Sequence, residues 1–291
     1  MYTVTLITNP AMYLDPALVG NLRNAMGGGE AIWLDPNHAA EFEVDKLPRN
    51  LGSVWESLQA EGVDLIAHPS EGRRKKMLLA DMDSTMIGQE CVDELAAEAG
   101  VGEEVAAITR RAMNGELDFE GALTERVGLL RGLPEATIAA VLERRITPTP
   151  GGATLVATMK AHGAHTVLVS GGFTAFSSRI ADMLGFDEHR ANTLLAEDGA
   201  LTGDVARPIL GREAKVAALE EISAAHGLSD KDVLAIGDGA NDLGMLGRAG
   251  FGIAVHAKPT VQEQAAHAVN HGDLTAVLFA QGYTRDEFVT A

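Results

Sequence analysis

Apolar and polar positions change rhythm twice along the chain. Over the first 68 residues, short extended stretches are interleaved with helical periodicity. Residues 3–8 read as a strand, Pro16–Met26 as a helix stopped by Gly27-Gly28-Gly29, and 31–34 and 41–44 as extended segments. Residues 51–61 read as a helix ended by Gly62, and 63–67 as a further strand. The order βαββαβ predicts a small ferredoxin-like α+β unit over residues 1–70. The charged stretch 71–76, with Arg73, Arg74, Lys75 and Lys76, is expected to be a solvated link into the next strand.

From residue 77 the rhythm becomes one of wholly apolar runs, 77–80, 166–169 and 233–236, as expected of strands covered on both faces. Residues 251–255 read as another strand, and helical stretches at 154–161, 175–184 and 213–225 lie among them. Strands alternating with helices predict a Rossmann-like parallel α/β sheet. Residues 88–147 carry no strand signal and read as helices at 91–99, 103–113, 119–130 and 135–144. Gly100, Gly115 and Gly132 punctuate them, and Pro134 falls in a first turn. The expected organisation is therefore an N-terminal unit over 1–70, an α/β core from 77–87 and 148–291, and a helical cap over 88–147 inserted after the first core strand.

Composition narrows the class. The chain has 291 residues, enough for more than one hydrophobic core, and at 46% apolar but 4% aromatic it must build them from Ala, Leu, Val and Ile. A formal charge of −18 repels nucleic acid and anionic membranes, so neither is expected as a partner. Cys91 is the sole cysteine, which excludes an intrachain disulfide and suits a reducing compartment, by default the cytoplasm. The opening MYTVTLITNP lacks a basic stretch followed by an apolar one, so no signal peptide is expected, and no apolar run has membrane-spanning length.

Ligands of open parallel sheets bind beyond the carboxyl ends of the strands, so the segments that follow the apolar runs carry the chemistry. They are Asp81-Met82-Asp83-Ser84-Thr85, Ser170-Gly171-Gly172-Phe173-Thr174 and Gly237-Asp238-Gly239-Ala240-Asn241-Asp242. One aspartate at a strand end is as well explained by a cap or a turn. Four converging ones, Asp81, Asp83, Asp238 and Asp242, repel one another unless a cation sits among them, and all-oxygen ligation beside a phosphate suits Mg²⁺. Ser170-Gly171-Gly172 ahead of a helix can present N–H groups to an anion. Lys215 falls near the start of a helix, where the dipole disfavours a cation unless an anion is close; the alternative is a tolerated surface lysine. Cys91 has no base beside it and reads as a buried structural thiol, and His162 and His165 read as surface residues.

In order and spacing these segments resemble the four motifs of the haloacid dehalogenase-like phosphatases. Residues 81–85 match the first, 170–172 the second, Lys215 the third and 237–242 the fourth, and the inserted helices are similar to the family's C1-type cap. The resemblance implies that Asp81 is the nucleophile and that Asp83 acts as general acid and then base. It implies Mg²⁺ held by the Asp81 carboxylate, the Asp83 carbonyl and Asp238, supported by Asp242 and Asn241. Ser170, the Gly171 N–H and Lys215 would hold the phosphoryl oxygens. Within the family the chain is most similar to members acting on O-phosphoserine. In that match Glu90 binds the substrate ammonium, Arg126 its carboxylate, and Met113 and Phe119 pack over it. Without the match, Glu90 would read as a helix-start acid and Arg126 as half of an exposed pair with Glu125. Longer members carry an N-terminal module resembling amino-acid-binding ACT units. The implied reaction is hydrolysis of O-phospho-L-serine to L-serine and phosphate, the last step of serine biosynthesis, and a homodimer is compatible with it. The alternatives are a phosphotransferase with an acceptor such as homoserine, a phosphatase for another small ester, or a non-catalytic amino-acid sensor.

Overall fold

Asp15 accepts a hydrogen bond from the Ala17 N–H, Pro16 occupies the first turn, and Gly27 closes the helix in the left-handed region, so the first helix has both ends written locally. The computed structural model describes residues 1–113 and 116–290, with Met113 given by its backbone alone. The first elements are β1 (Tyr2–Thr8), α1 (Pro16–Met26), β2 (Ile32–Asp35), β3 (Ala39–Val44), α2 (Leu51–Ala60) and β4 (Val63–Pro69). They form an antiparallel sheet of order β2-β3-β1-β4, the ferredoxin-like arrangement expected. On one face Val4, Leu6, Phe42 and Leu65 pack against Val19 and Leu58 of the two helices. On the other, Ile7, Ala39 and Ile66 join the core of the remaining chain.

The second sheet is parallel throughout, in the order β12-β11-β10-β5-β6-β7. Its strands are β5 (Met77–Ala80), β6 (His165–Phe173), β7 (Glu188–Asn192), β10 (Val233–Gly237), β11 (Phe251–Val255) and β12 (Ala268–Val269). Alternation explains why β5 is apolar at every position. Met77 and Leu79 face α9 (Arg212–Ala225) and α10 (Leu243–Arg248), whereas Leu78 and Ala80 face α7 (Gly152–Ala161), α8 (Thr174–Leu184) and α12 (Ala276–Ala280). A short α11 (Pro259–Gln262) follows β11, and an antiparallel pair, β8 (Leu194–Glu197) and β9 (Ala200–Val205), stands apart from the main sheet.

Between β5 and α7 the chain leaves the sheet as α3 (Cys91–Ala99), α4 (Gly102–Met113), α5 (Phe119–Gly128) and α6 (Ala136–Arg145). Its outgoing and returning connections run side by side. Ile87 bridges Pro148, the Gly88 N–H donates to the Thr147 carbonyl (3.0 Å), and Gln89 takes the Thr147 N–H.

Three expectations need correction. The stretch 71–76 is largely exposed, as expected, but it is anchored at Arg73, Arg74 and Lys75. Arg73 makes a two-pronged pair with Glu41, Arg74 lies over the Tyr283 ring, and buried Lys75 donates to the carbonyls of Gly72 and Lys231. Backbone carbonyls here take over the solvation that water gives a lysine elsewhere. His165 is half-buried and stacked on His226, with ring centres 4.0 Å apart, while His162 is exposed. The edge strand β7 and the β8–β9 pair were not expected at all.

Candidate active site

The acidic and glycine-containing segments do meet at the carboxyl edge of the parallel sheet. After β5 the backbone makes a wide turn over Met82–Met86, with Ser84 in the left-handed region (φ 56°), an unfavourable place for a residue bearing a Cβ. The turn aims Asp83 across the strand ends. Its Oδ1 accepts the Cys91 N–H (2.8 Å), which also fixes the start of α3, and its Oδ2 accepts the Ser170 hydroxyl (3.1 Å). Gly172 is required by this approach, since a Cβ there would lie 2.7 Å from Asp83 Oδ2. The Ser170 hydroxyl oxygen in turn accepts the Gly172 N–H (2.8 Å).

Lys215 lies in the first half of α9, yet it is 2% exposed, so the surface-lysine alternative fails. Its Nζ donates to Asp81 Oδ1 (2.5 Å) and Asp242 Oδ1 (2.6 Å). Burial pulls the ammonium down, but the charges of Asp81 and Asp242 outweigh it and hold Lys215 above its ordinary value. One ammonium cannot balance the acids around it. Burial, and then the charge of Asp242, raise Asp81 well above the carboxylate range despite Lys215. Asp238 is pushed up to about 6 by burial and by Asp242, and its Oδ1 accepts the Thr85 hydroxyl.

Asp81, Asp238 and Asp242 offer oxygens within 4.8 Å of one another. Such crowded oxygens, with the Asp81 and Asp238 carboxyls held up by burial and then by the charge of Asp242, fit a hard divalent cation. The Asp83 carboxylate is outside this cluster, engaged by Cys91 and Ser170.

A cavity of about 510 Å³ opens from this cluster toward the inserted helices. Asp81, Asp83, Ser170, Gly171, Asp238 and Asn241 line its floor; Glu90, Phe119 and Arg126 come from the insertion. Lys215 and Asp242 stand behind the floor, reaching it through Asp81. The Phe119 ring packs on the phosphate-type loop so closely that a Cβ on Gly171 would sit 2.9 Å from its Cζ. Met113 lies outside the described side chains.

Glu90 accepts the Ser84 hydroxyl (2.8 Å). Its carboxylate is reachable from the open cavity, yet protein crowds it on most sides. That desolvation, with the nearby charge of Asp83, pushes it up to about 7 against the opposing Ser84 bond. Arg126 is half-buried, with Nε on the Ala122 carbonyl (3.2 Å), and burial lowers its guanidinium even though Asp93, Glu90 and Asp83 are near. Among the described residues no carboxylate is within ion-pair distance of it. Glu125, its expected partner on an exposed helix, pairs with Arg111 instead (2.7 Å).

Two contributors escaped the sequence reading, and Thr85, named only as part of its segment, gains a role. Asn192, at the end of β7, donates to the Gly171 carbonyl (2.8 Å) and accepts the Leu210 N–H, and so braces the loop; nothing local marks it. Thr85 orients Asp238. Lys258 lines the cavity just beyond β11, where the strand-end rule could have found it.

The family model described as haloacid dehalogenase-like hydrolase matches residues 78–247. A phosphoserine phosphatase of Archaeoglobus fulgidus is 42% identical over 246 residues, 81% of this chain and 70% of that protein. One of Methanocaldococcus jannaschii is 43% identical over 206 residues, 71% of this chain and 97% of that protein. A solved HAD-family hydrolase of Salmonella enterica serovar Typhi superposes with a TM-score of 0.87 at 31% identity, covering 99% of this chain and all of that one.

Proposed function

We propose that this chain, which belongs to the haloacid dehalogenase-like hydrolase family, hydrolyses O-phospho-L-serine to L-serine and phosphate by way of a covalent phosphate on Asp81. The observation that carries the reading is the make-up of one cavity. Its floor holds a carboxylate backed by a buried ammonium, and its roof holds an acid and a guanidinium, the counter-charges of an amino acid's two ends.

Asp81 Oδ2, the oxygen not bonded to Lys215, is the natural nucleophile, and it attacks phosphorus in line. The Ser170 hydroxyl and the Gly171 N–H stabilise the equatorial oxygens as charge spreads over them, and Lys215, behind Asp81, adds its positive charge. Asp83 protonates the departing serine oxygen and then draws a proton from the water that opens the phospho-aspartate. Gly172 and the Cys91 N–H keep its carboxylate aimed at that position. Mg²⁺ would be held by Asp81, Asp238 and the Asp83 carbonyl with Asp242 behind, and when bound it neutralises phosphate charge and aligns the attack. Glu90 takes the substrate ammonium, Arg126 its carboxylate through the guanidinium edge left unpaired, and Phe119 covers the bound molecule. The buried thiol Cys91 suits a reducing compartment, and we assign the enzyme to the cytoplasm.

The test is phosphate release from O-phospho-L-serine with and without Mg²⁺, with Asp81→Asn as the inactive control. Arg126→Ala should lower kcat/KM for phosphoserine about 10- to 150-fold, the worth of one charge-assisted contact. It should leave O-phosphoethanolamine, which lacks the carboxylate, nearly unaffected. Equal losses on both esters would overturn the substrate assignment.

A further inference from the structure

Three cations stand at or behind the cavity, and two already have places in the reading above: Lys215 behind Asp81, and Arg126 for the substrate carboxylate. Lys215 is bonded to Asp81 and Asp242, and Arg126 sits in the roof with its Nε on Ala122. The third, Lys258, is exposed at the cavity edge and, among the described residues, has no carboxylate within ion-pair distance. It lies close enough to Asp238 for its charge to oppose the rise of that carboxyl.

Its backbone is held firmly. Ala257 and Val261 on either side are buried, and the Lys258 carbonyl accepts the N–H groups of Val261 and Gln262. The Gln262 side chain donates to the Ala257 carbonyl (2.6 Å), and a ring nitrogen of His256 contacts the Gly272 carbonyl (2.7 Å). A long, exposed side chain thus stands on a hydrogen-bonded backbone at the mouth of a cavity whose lining includes Asp81, Asp83, Glu90 and Asp238.

A dianion approaching a chain of formal charge −18 meets repulsion before it meets Lys215. We propose that Lys258 is a capture residue: it pairs with the substrate phosphate at the rim and delivers it to Ser170 and Asp81, acting on association and leaving the chemical step alone. The proposal rests on the phosphomonoesterase reading above. An ammonium on a flexible stem serves this role better than a fixed one, because it can follow the phosphate inward and then release it.

The experiment uses the full chain with Mg²⁺ and compares wild type with Lys258→Gln, Lys258→Arg and Lys258→Glu. For Lys258→Gln we expect kcat/KM on phosphoserine to fall about 10-fold, the lower range of electrostatic steering, with kcat nearly unchanged. The arginine variant should recover most of the loss and the glutamate variant deepen it. The salt dependence of kcat/KM should flatten in Lys258→Gln, and its competitive inhibition by inorganic phosphate should weaken by a similar factor. Wild-type kinetics in Lys258→Gln, or a loss confined to kcat, would overturn the proposal. If the wild type released no phosphate from phosphoserine, the substrate reading would fail on its own. Calorimetric binding of inorganic phosphate to wild type and Lys258→Gln would then still decide the role of Lys258.

Discussion

Asp64→Ala tests how the N-terminal sheet is joined to the catalytic part. Asp64 lies in β4 with no exposed surface. Its Oδ1 accepts the Asn270 N–H (2.8 Å), and its Oδ2 accepts those of His271 (3.0 Å) and Gly272 (2.8 Å). A hydrogen bond to a charged group contributes about 1.5–3 kcal/mol, and a stranded buried donor costs about 1–3 kcal/mol. Three such bonds on one carboxylate are not additive, and water entering the vacated space offsets part of the loss. The expected destabilisation is about 4 kcal/mol, at the upper end for a single substitution. Asp64→Asn should recover little, because its amide turns a donor toward N–H groups already seeking acceptors. Urea unfolding followed by circular dichroism measures this directly. A loss under about 1 kcal/mol in Asp64→Ala would refute the claim that this carboxylate holds the junction together.

Three further outcomes follow from the site. Because Glu90 titrates at about 7, above an unfolded value of 4.5, the folded chain binds this proton more tightly; stability from this group therefore falls as pH rises between the two values. The ionised form binds ammonium, so KM for phosphoserine should fall as pH rises through 7, relative to an ester lacking the ammonium, and the slope should vanish in Glu90→Gln; a slope that persists would rule Glu90 out. Lys215→Met leaves Asp81 and Asp242 facing each other unpaired, which should cost about 3–5 kcal/mol and at least about 100-fold in phosphate release. Added divalent cation should restore part of the melting temperature, and failure to do so would count against the carboxylates as its ligands. Gly172→Ala should push Asp83 off its line and slow turnover about 100-fold while the far-ultraviolet spectrum stays native; unchanged turnover would mean that the aim of Asp83 is immaterial.

What was legible in the sequence was what neighbours along the chain dictate. Asp15, Pro16 and Gly27 write the ends of α1, and the uninterrupted apolarity of 77–80 states that both faces of β5 are covered. The strand-end rule then located Asp81, Asp83, Ser170 and Asp238 without coordinates. β7 was missed because Glu188-His189-Arg190 has no apolar rhythm; it is an edge strand secured through pairing with β6 and through Asn192. The β8–β9 turn was readable, since Asp198-Gly199 with both residues at positive φ is a common two-residue hairpin signal. Lys75 could not be read as buried, because the carbonyls that receive it include Lys231, far along the chain. Glu90 and Arg126 stood out only by resemblance, since a helix-start acid and a helical arginine have ordinary explanations until the fold places them over one cavity.

The paired connections at Ile87–Pro148 and Gly88–Thr147 bring the start and end of the four inserted helices together at one point of the host fold. A transplanted insertion would have to match that seam and a second one, where Pro134 bridges Ala200 and the Leu201 N–H donates to the Leu133 carbonyl. The groups proposed to react, Asp81, Asp83, Lys215 and Asp238, belong to the host, whereas Glu90, Phe119 and Arg126 lie in the insertion. On the proposed roles, a chimera joined at residues 87 and 148 that keeps the contact between Leu133 and Leu201 would change which ester is accepted and leave the removal of its phosphate to the host.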